Sequence, residues 1–304
     1  MSNKLRGAVI GVGYLGRFHA QKIKASAGAE LIGVFDGYLE QAQKVATELS
    51  VQCFSQLKDV VSAVDFVTIA ASTQAHYELA EYFLSRKIPV LVEKPIAATA
   101  TLGFKLCEIA EKNNTIFTVG HIERFNPAYS YLKENADQIK YLELNRLAPF
   151  RIRGSDVSVL HDLMIHDIDL VQFIFNQNII HHQLFTHKMI QKTVDDVSVR
   201  LTLESGTQVQ IQNSRIHPVI SRSYRAVLND HTISVNTATL EVDLLYPDLS
   251  QPELCRLEKR TILKVDALAL EIEHFIDAVH RKHSVAISGY EAATALNHIE
   301  KFLK

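Results

Sequence analysis

Short apolar runs alternate with amphipathic stretches through the first 120 residues. Ala8–Ile10, Leu31–Phe35, Val51–Phe54, Asp65–Ala70, Val90–Val92 and Ile116–Val119 read as strands of a buried sheet. Between them Arg17–Lys24, Leu39–Leu49, Gln74–Ser85 and Thr99–Lys112 carry helical periodicity. Strand–helix alternation of this kind predicts an α/β domain built on a doubly wound parallel sheet. The pattern then changes. Tyr141–Leu147, Asp196–Leu203, Gln208–Ser214, Tyr224–Leu228 and Thr239–Leu245 read as longer strands. Turn signals at Glu204-Ser-Gly206 and Asn229-Asp-His231 separate several of them, which predicts an α+β domain with a mostly antiparallel sheet. One helix, about Val159–Phe175, precedes most of these strands, and helices from about Ala267 follow them. The change falls near Gly120–Asn126, so the expected domains are 1–121 and 122–304.

The first apolar run stops at Gly11, Gly13 and Gly16, which fit G-x-G-x-x-G between a strand and a helix. In that setting the first glycine permits a tight turn and the second lets the backbone approach a pyrophosphate. The third lets helix and strand pack closely, with the phosphate charge at the helix N-terminus. The second strand ends in Asp36, twenty residues past Gly16, where a carboxylate accepts hydrogen bonds from an adenosine ribose. Asp36 is followed by Gly37 and Tyr38 rather than an arginine, so a 2′-phosphate would be repelled. NAD is the expected cofactor.

Composition narrows the classes. With 304 residues, 47% hydrophobic residues and a net charge of −2, the chain has material for a large core and no excess of positive charge for nucleic acid or an anionic membrane. Its apolar runs fall short of the roughly 20 residues that span a bilayer. The first strand begins almost at the N-terminus, leaving no stretch to read as a signal peptide. Cys53, Cys107 and Cys255 are widely spaced, without C-x-x-C, and read as buried free thiols in a reducing cytoplasm.

Two charged groups remain. Glu93-Lys94-Pro95 follows the fifth parallel strand, and ligands of open α/β sheets bind beyond the carboxyl ends of strands. Lys94 is therefore a candidate for the cofactor crevice; a solvated Glu93–Lys94 pair at a strand end is the alternative. In His161-Asp162-Leu-Met-Ile-His166-Asp167-Ile-Asp169, Asp162 and His166 are four apart and share a helix face that Asp169 continues. A carboxylate beside an imidazole suits proton transfer. A satisfied polar network or a metal site competes with this, but successive residues point apart and no other cluster completes a metal shell. His181-His182 reads as loop surface.

Together these motifs resemble the Gfo/Idh/MocA oxidoreductases, the glucose–fructose oxidoreductase and inositol dehydrogenase family. The resemblance also takes in Glu271–Val279 and Ile287-Ser-Gly289, and so spans nearly the whole chain. It implies a Rossmann domain plus a domain with an open-faced antiparallel sheet, and that Lys94, Asp162 and His166 form the catalytic group. The implied cofactor set is Gly11, Gly13, Tyr14, Leu15, Gly16, Asp36, Ser72, Thr73, His76, Glu93 and Lys94. At Ser72 the family usually has proline; the change removes no reactive group. Gly120–Pro127 and Asp162–Leu170 further resemble members acting on nucleotide-linked amino sugars, the UDP-N-acetylglucosamine 3-dehydrogenase-like enzymes that serve lipid A. That implies substrate contacts from Arg124 and Asn126 with Asp162 and His166, although a hinge ion pair and a turn suit Arg124 and Asn126 as well. His121 and Glu123 share that ambiguity. Arg151 and Arg153 could meet a diphosphate or be solvated charges. The resulting expectation is a cytoplasmic, NAD-dependent dehydrogenase of a sugar or UDP-sugar ring hydroxyl, a homodimer or homotetramer through its C-terminal sheet. A free sugar, inositol or tetrapyrrole substrate, an NAD-dependent glycosidase, or a non-catalytic NAD-sensing binding protein, remain alternatives.

Overall fold

The computed structural model describes residues 4–152, 157–251, 254–281, 283 and 285–303. The chain divides into two compact units, Met1–Phe125 with Asp266–Asn297, and Asn126–Val265 with His298–Lys304.

In the first unit the apolar runs become β1 (Leu5–Ile10), β2 (Ala29–Phe35), β3 (Gln52–Cys53), β4 (Phe66–Ile69), β5 (Val90–Glu93) and β6 (Phe117–Gly120). They form one parallel sheet in the order β3-β2-β1-β4-β5-β6. This order switches direction beside β1, and the crevice at that point lies over the strand's carboxyl end. Helices α1 (Tyr14–Ala25), α2 (Leu39–Leu49), α3 (Leu57–Ala63), α4 (Thr73–Leu84) and α5 (Ala100–Lys112) connect the strands; α3 carried no signal in the sequence reading. The strands are buried on both faces, β4 and β6 at every position. That explains why they read as continuous apolar runs.

The second unit contains α6 (Ser130–Glu134), β7 (Tyr141–Leu147), α7 (Ile165–Phe175), β8 (Ile179–His187), β9 (Asp196–Leu203), β10 (Gln208–Ser214), β11 (Ser221–Val227), β12 (Thr232–Asn236), β13 (Glu241–Pro247) and β14 (Cys255–Thr261). Its eight-stranded sheet runs β14-β13-β12-β11-β7-β10-β9-β8, antiparallel except where β7 pairs with β10. Alternate residues of β9 and β10 are buried, Val197, Val199, Leu201 and Leu203 facing inward with Val209 and Ile211. This is the period-2 pattern of a half-covered sheet.

Three expectations are corrected. The last helices, α8 (Ala267–Arg281) and most of α9 (Gly289–Phe302), belong to the first unit rather than to a domain 122–304. Ile272, Phe275 and Ile276 of α8 enter the core formed by Val9, Ala20 and Ile23, and Phe275 meets Phe66 edge-on at 5.5 Å. The segment after α8 also shields the sheet edge: Thr118 donates its hydroxyl to the Ile287 carbonyl at 2.7 Å. Secondly, His181 and His182 lie in strand β8 rather than a loop, though exposed as expected; His182 packs its ring on Phe302. Thirdly, Cys107 is a buried free thiol, but Cys255 is exposed on β14 and Cys53 is half-buried.

Candidate functional site

The glycine turn is shaped by close contacts. Gly11 has φ +83°, and a Cβ there would come within 2.6 Å of the Ala71 backbone. A Cβ on Gly16 would lie 1.8 Å from the Gly11 carbonyl oxygen. At Gly13, by contrast, a Cβ would meet no protein atom within 4 Å. The turn therefore leaves the space beside its middle glycine open, as close approach of a pyrophosphate requires. Gly13 is the N-cap of α1 and supplies no side-chain cap, so the first N–H groups of the helix stay available to an anion. Tyr14 and Leu15 occupy the first two positions of α1 with side chains exposed.

Asp36 braces this turn. Its Oδ2 accepts the Val12 N–H at 2.8 Å and its Oδ1 accepts the Tyr38 N–H at 2.9 Å. Each oxygen retains a lone pair, which suits a ribose diol. Gly11, Gly13, Asp36 and Ser72 line one cleft of about 490 Å³. The described lining of that cleft includes a second acid, Glu78, and neither lysine nor arginine. These features fit a dinucleotide, and one without a 2′-phosphate. A larger cavity of about 570 Å³ opens between Pro89 and Phe117, at the amino ends of β5 and β6. That is the wrong end of a parallel sheet for the cofactor.

Thr73, His76, Glu93 and Lys94, also expected to bind cofactor, are not among the described lining residues of the cleft around Asp36. Thr73 begins α4, three residues before His76. His76 is buried, its Nδ1 lying 2.8 Å from the Pro95 carbonyl and its Nε2 3.1 Å from that of Ala71. It ties the segment after β4 to the segment after β5 and does not line the cleft. Burial pushes its imidazole below the usual value, against the pull of those carbonyls and of Glu93. Glu93 ends β5 with its carboxylate 2.8 Å from His19 Nε2, and Lys94 follows it, half-buried. His19 escaped the sequence reading. Its signal was a histidine on the face of α1 that otherwise buries Gly16, Ala20 and Ile23.

Arg124 takes part in an ion pair, the kind of contact kept open beside substrate binding. Its guanidinium, 3% exposed, donates to Glu291 Oε1 at 2.8 Å and to the Ala286 carbonyl at 3.3 Å. The ion pair fastens the segment after β6 to the start of α9, within the first unit. His121 is buried and Glu123 half-buried.

In the second unit, Asn126 Oδ1 accepts the Ala128 N–H at 3.0 Å, capping a short 3₁₀ turn. The helix expected from Val159 is a π-turn over Leu160–Met164 that passes into α7 at Ile165. Asp162 lies in this wide turn and His166 in the first turn of α7, both half-buried. Wide turns of this kind concentrate at functional sites. Asp169, three residues past His166, is fully buried, because α7 turns most of its circumference inward; His166, Gln172 and Phe173 are its half-buried positions. Asp167 is buried too, its Oδ1 accepting from Arg146 Nε at 2.6 Å and its Oδ2 from Asn213 Nδ2 at 2.7 Å. Arg146 also reaches the Tyr129 hydroxyl at 3.2 Å. This network anchors α7 to the sheet directly beside His166. Burial holds the His161 imidazole below its usual value, with Glu300 pulling the other way. Arg151 is exposed, and Arg153 lies outside the described residues. Among the described residues, no three His, Cys, Asp or Glu side chains are grouped to hold a metal ion.

Known proteins share this architecture. Residues 5–121 match the model of an oxidoreductase family with an NAD-binding Rossmann fold, and residues 143–234 match the GFO/IDH/MocA C-terminal domain. The UDP-N-acetylglucosamine 3-dehydrogenase of Acidithiobacillus ferrooxidans is 33% identical over 94% of this chain and 92% of its own. Its solved structure superposes with a TM-score of 0.91, covering 99% of this chain and 97% of that one, at 32% identity. An inositol 2-dehydrogenase of Rhizobium meliloti is 25% identical over 96% and 94% of the two chains. An Agrobacterium radiobacter oxidoreductase crystallised with NAD+, L-tartaric acid and magnesium shares the fold at 16% identity and a TM-score of 0.86, over 98% of this chain and 95% of that one. Glycine turn, Glu-Lys-Pro strand end and Asp-x-x-x-His helix start thus stand where both of the family's domains are matched, and the chain belongs to the Gfo/Idh/MocA oxidoreductases, as a dehydrogenase with an NAD-binding Rossmann domain.

Proposed function

We propose that this dehydrogenase oxidises the C3 hydroxyl of UDP-N-acetylglucosamine. The observation that carries the substrate is the 33% identity with a UDP-N-acetylglucosamine 3-dehydrogenase along nearly all of both chains. Gly11, Gly13, Gly16, the start of α1 and Asp36 would hold the dinucleotide. NAD is favoured over NADP because Asp36 and Glu78 face the cleft with no described cation to offset them. Bound NAD supplies the hydride acceptor. His166 would take the proton from the substrate hydroxyl, with Asp162 orienting the hydroxyl or the imidazole. Lys94, as a cation, would hydrogen-bond the same oxygen and stabilise its developing negative charge.

The 3-keto product is a substrate for an aminotransferase, and a 3-amino sugar of the lipid A type would follow. Incubating the protein with NAD, UDP-N-acetylglucosamine, an amino donor and a partner transaminase tests this, since amination draws an unfavourable oxidation forward. A 3-amino product supports the reading. No NADH and no binding of the UDP-sugar, with turnover of myo- or scyllo-inositol instead, would move the chain to the second reading suggested by its 25%-identical inositol dehydrogenase relative. The eight-stranded sheet is the expected homo-oligomer face, for sedimentation to test, and the cytoplasm is the expected compartment.

A further inference from the structure

Glu93 has no task in the chemistry above, yet the fold holds it closely. One carboxylate oxygen, Oε1, lies 2.8 Å from His19 Nε2, and the other, Oε2, takes the backbone N–H of Lys94 at 3.2 Å. The neighbouring strand contributes Gly120, where a Cβ would come within 3.2 Å of Cδ and of both oxygens. The carboxylate thus sits in a slot between α1 and β6 that any larger residue at position 120 would crowd. His19 is fully buried, and its Nδ1 has no hydrogen-bond partner among the described residues. A buried imidazole is costly to desolvate. Its visible return here is the single bond to Glu93. That pairing assigns the ring proton to Nε2, which donates.

We propose that His19 is a positioning residue for Lys94, acting through Glu93. The Nε2–H fixes the carboxylate, the carboxylate fixes the Lys94 N–H, and the direction in which the lysine stem leaves β5 is set. The role for Lys94 rests on the reaction proposed above; the positioning itself does not. Burial pushes the Glu93 carboxyl up, but His19 and Lys94 outweigh it and hold the group ionised below its usual value. Among the described residues, the charged and titratable groups around the carboxylate include His19 from α1, Lys94 from its own strand end and His76 from α4. A lysine ammonium rides on a flexible four-carbon stem, so its stem must be anchored if the charge is to meet one oxygen. Misplacement of a catalytic group by about 1 Å costs on the order of a hundredfold in rate.

The test uses the full chain with His19→Leu, which removes the donor, and His19→Gln, which supplies an amide donor. Hydrogen exchange at the Lys94 amide, measured by NMR without cofactor or substrate, should lose about tenfold in protection in His19→Leu and recover most of it in His19→Gln. With NAD and UDP-N-acetylglucosamine, kcat should fall about 10–100-fold in His19→Leu. KM for the sugar and Kd for NAD should stay within about threefold. Unchanged Lys94 protection in folded His19→Leu overturns the proposal, as does equal loss of protection along all of α1 and β5. If His19→Leu does not fold, Glu93→Gln keeps the shape and removes the charge. It should lower Lys94 protection severalfold, and unchanged protection there overturns the proposal equally. A wild-type protein that turns over no UDP-sugar sinks the assigned reaction, while the exchange measurement still decides the positioning.

Discussion

Replacing Asp167 is the sharpest test of how the second unit holds His166 in place. Asp167 and Arg146 form a 2.6 Å ion pair with side chains 1% and 7% exposed, and Asn213 gives its amide to the second carboxylate oxygen. Asp167→Leu removes one charge and leaves the buried guanidinium without that counter-charge. Breaking a buried pair from one side costs about 3–5 kcal/mol, and the stranded Asn213 amide adds about 1–3 kcal/mol. Arg146→Met should cost a similar amount, because the carboxylate is then the stranded charge. The double variant should cost less than the sum of the singles by about 2–3 kcal/mol, since neither charge is left alone. The chain has no tryptophan, so urea unfolding is best followed by tyrosine fluorescence. Tyr129 and Tyr224, with ring centroids 5.7 Å apart, report on the second unit. Two single variants each within about 1 kcal/mol of wild type, and strictly additive, would place the pair among weak surface ion pairs and refute the anchoring argument.

Four further outcomes are expected. Lys94→Ala and His166→Ala should each lose at least about a hundredfold in turnover while NAD affinity, read by fluorescence titration, stays within a few fold; near wild-type turnover in either removes that residue from the mechanism. Asp36→Ala should narrow the preference for NAD over NADP, and tighter NADP binding by the wild-type protein would contradict the reading of the cleft. Gly13→Ala should fold normally and bind NAD more weakly, whereas Gly16→Ala, with its Cβ 1.8 Å from a backbone oxygen, should lose thermal stability even without NAD. Burial pushes the Asp195 carboxyl up, but the N–H groups of Gln191, Met189 and Ile190, together with Arg215, hold it below its usual value. Its stabilising effect is therefore present above about pH 4, the unfolded carboxyl value. It disappears as pH falls through the lower folded value. Melting curves of Asp195→Asn and wild type should converge on acidification, and a constant difference down to pH 2 would show another origin.

The parallel sheet was legible in the sequence because each buried strand is a continuous apolar run bounded by a turn. In the second sheet, β7, β9 and β10 were legible through strict alternation, Val197, Val199, Leu201 and Leu203 being the clearest case. β8 and β14 were not. They lie at the two edges, nearly all of their residues are exposed, and no alternation marks them. The glycine turn and Asp36 were readable because each needs a residue type at a fixed spacing. The task of Arg124 was not, since Glu291 lies 167 positions away in the chain. Nor could periodicity show the π-turn at Asp162 or the inward turn of Asp169, which depend on what α7 packs against. Helices after about Ala267 were legible, but a helix does not name the core that it will join.

That last point bears on synthesis. Ile272, Phe275 and Ile276 complete the core around Val9, Ala20 and Ile23, yet leave the ribosome some 150 residues after Phe125. At about 5–20 residues per second, the nascent Rossmann sheet waits roughly 8–30 s with that face uncovered. During this interval that apolar surface is open to chaperones and neighbouring chains. A fragment cut at the apparent domain end, residue 121, would never leave that condition. An expression fragment of the nucleotide-binding unit should instead carry 266–297 joined to 1–125 by a short linker in place of the inserted unit.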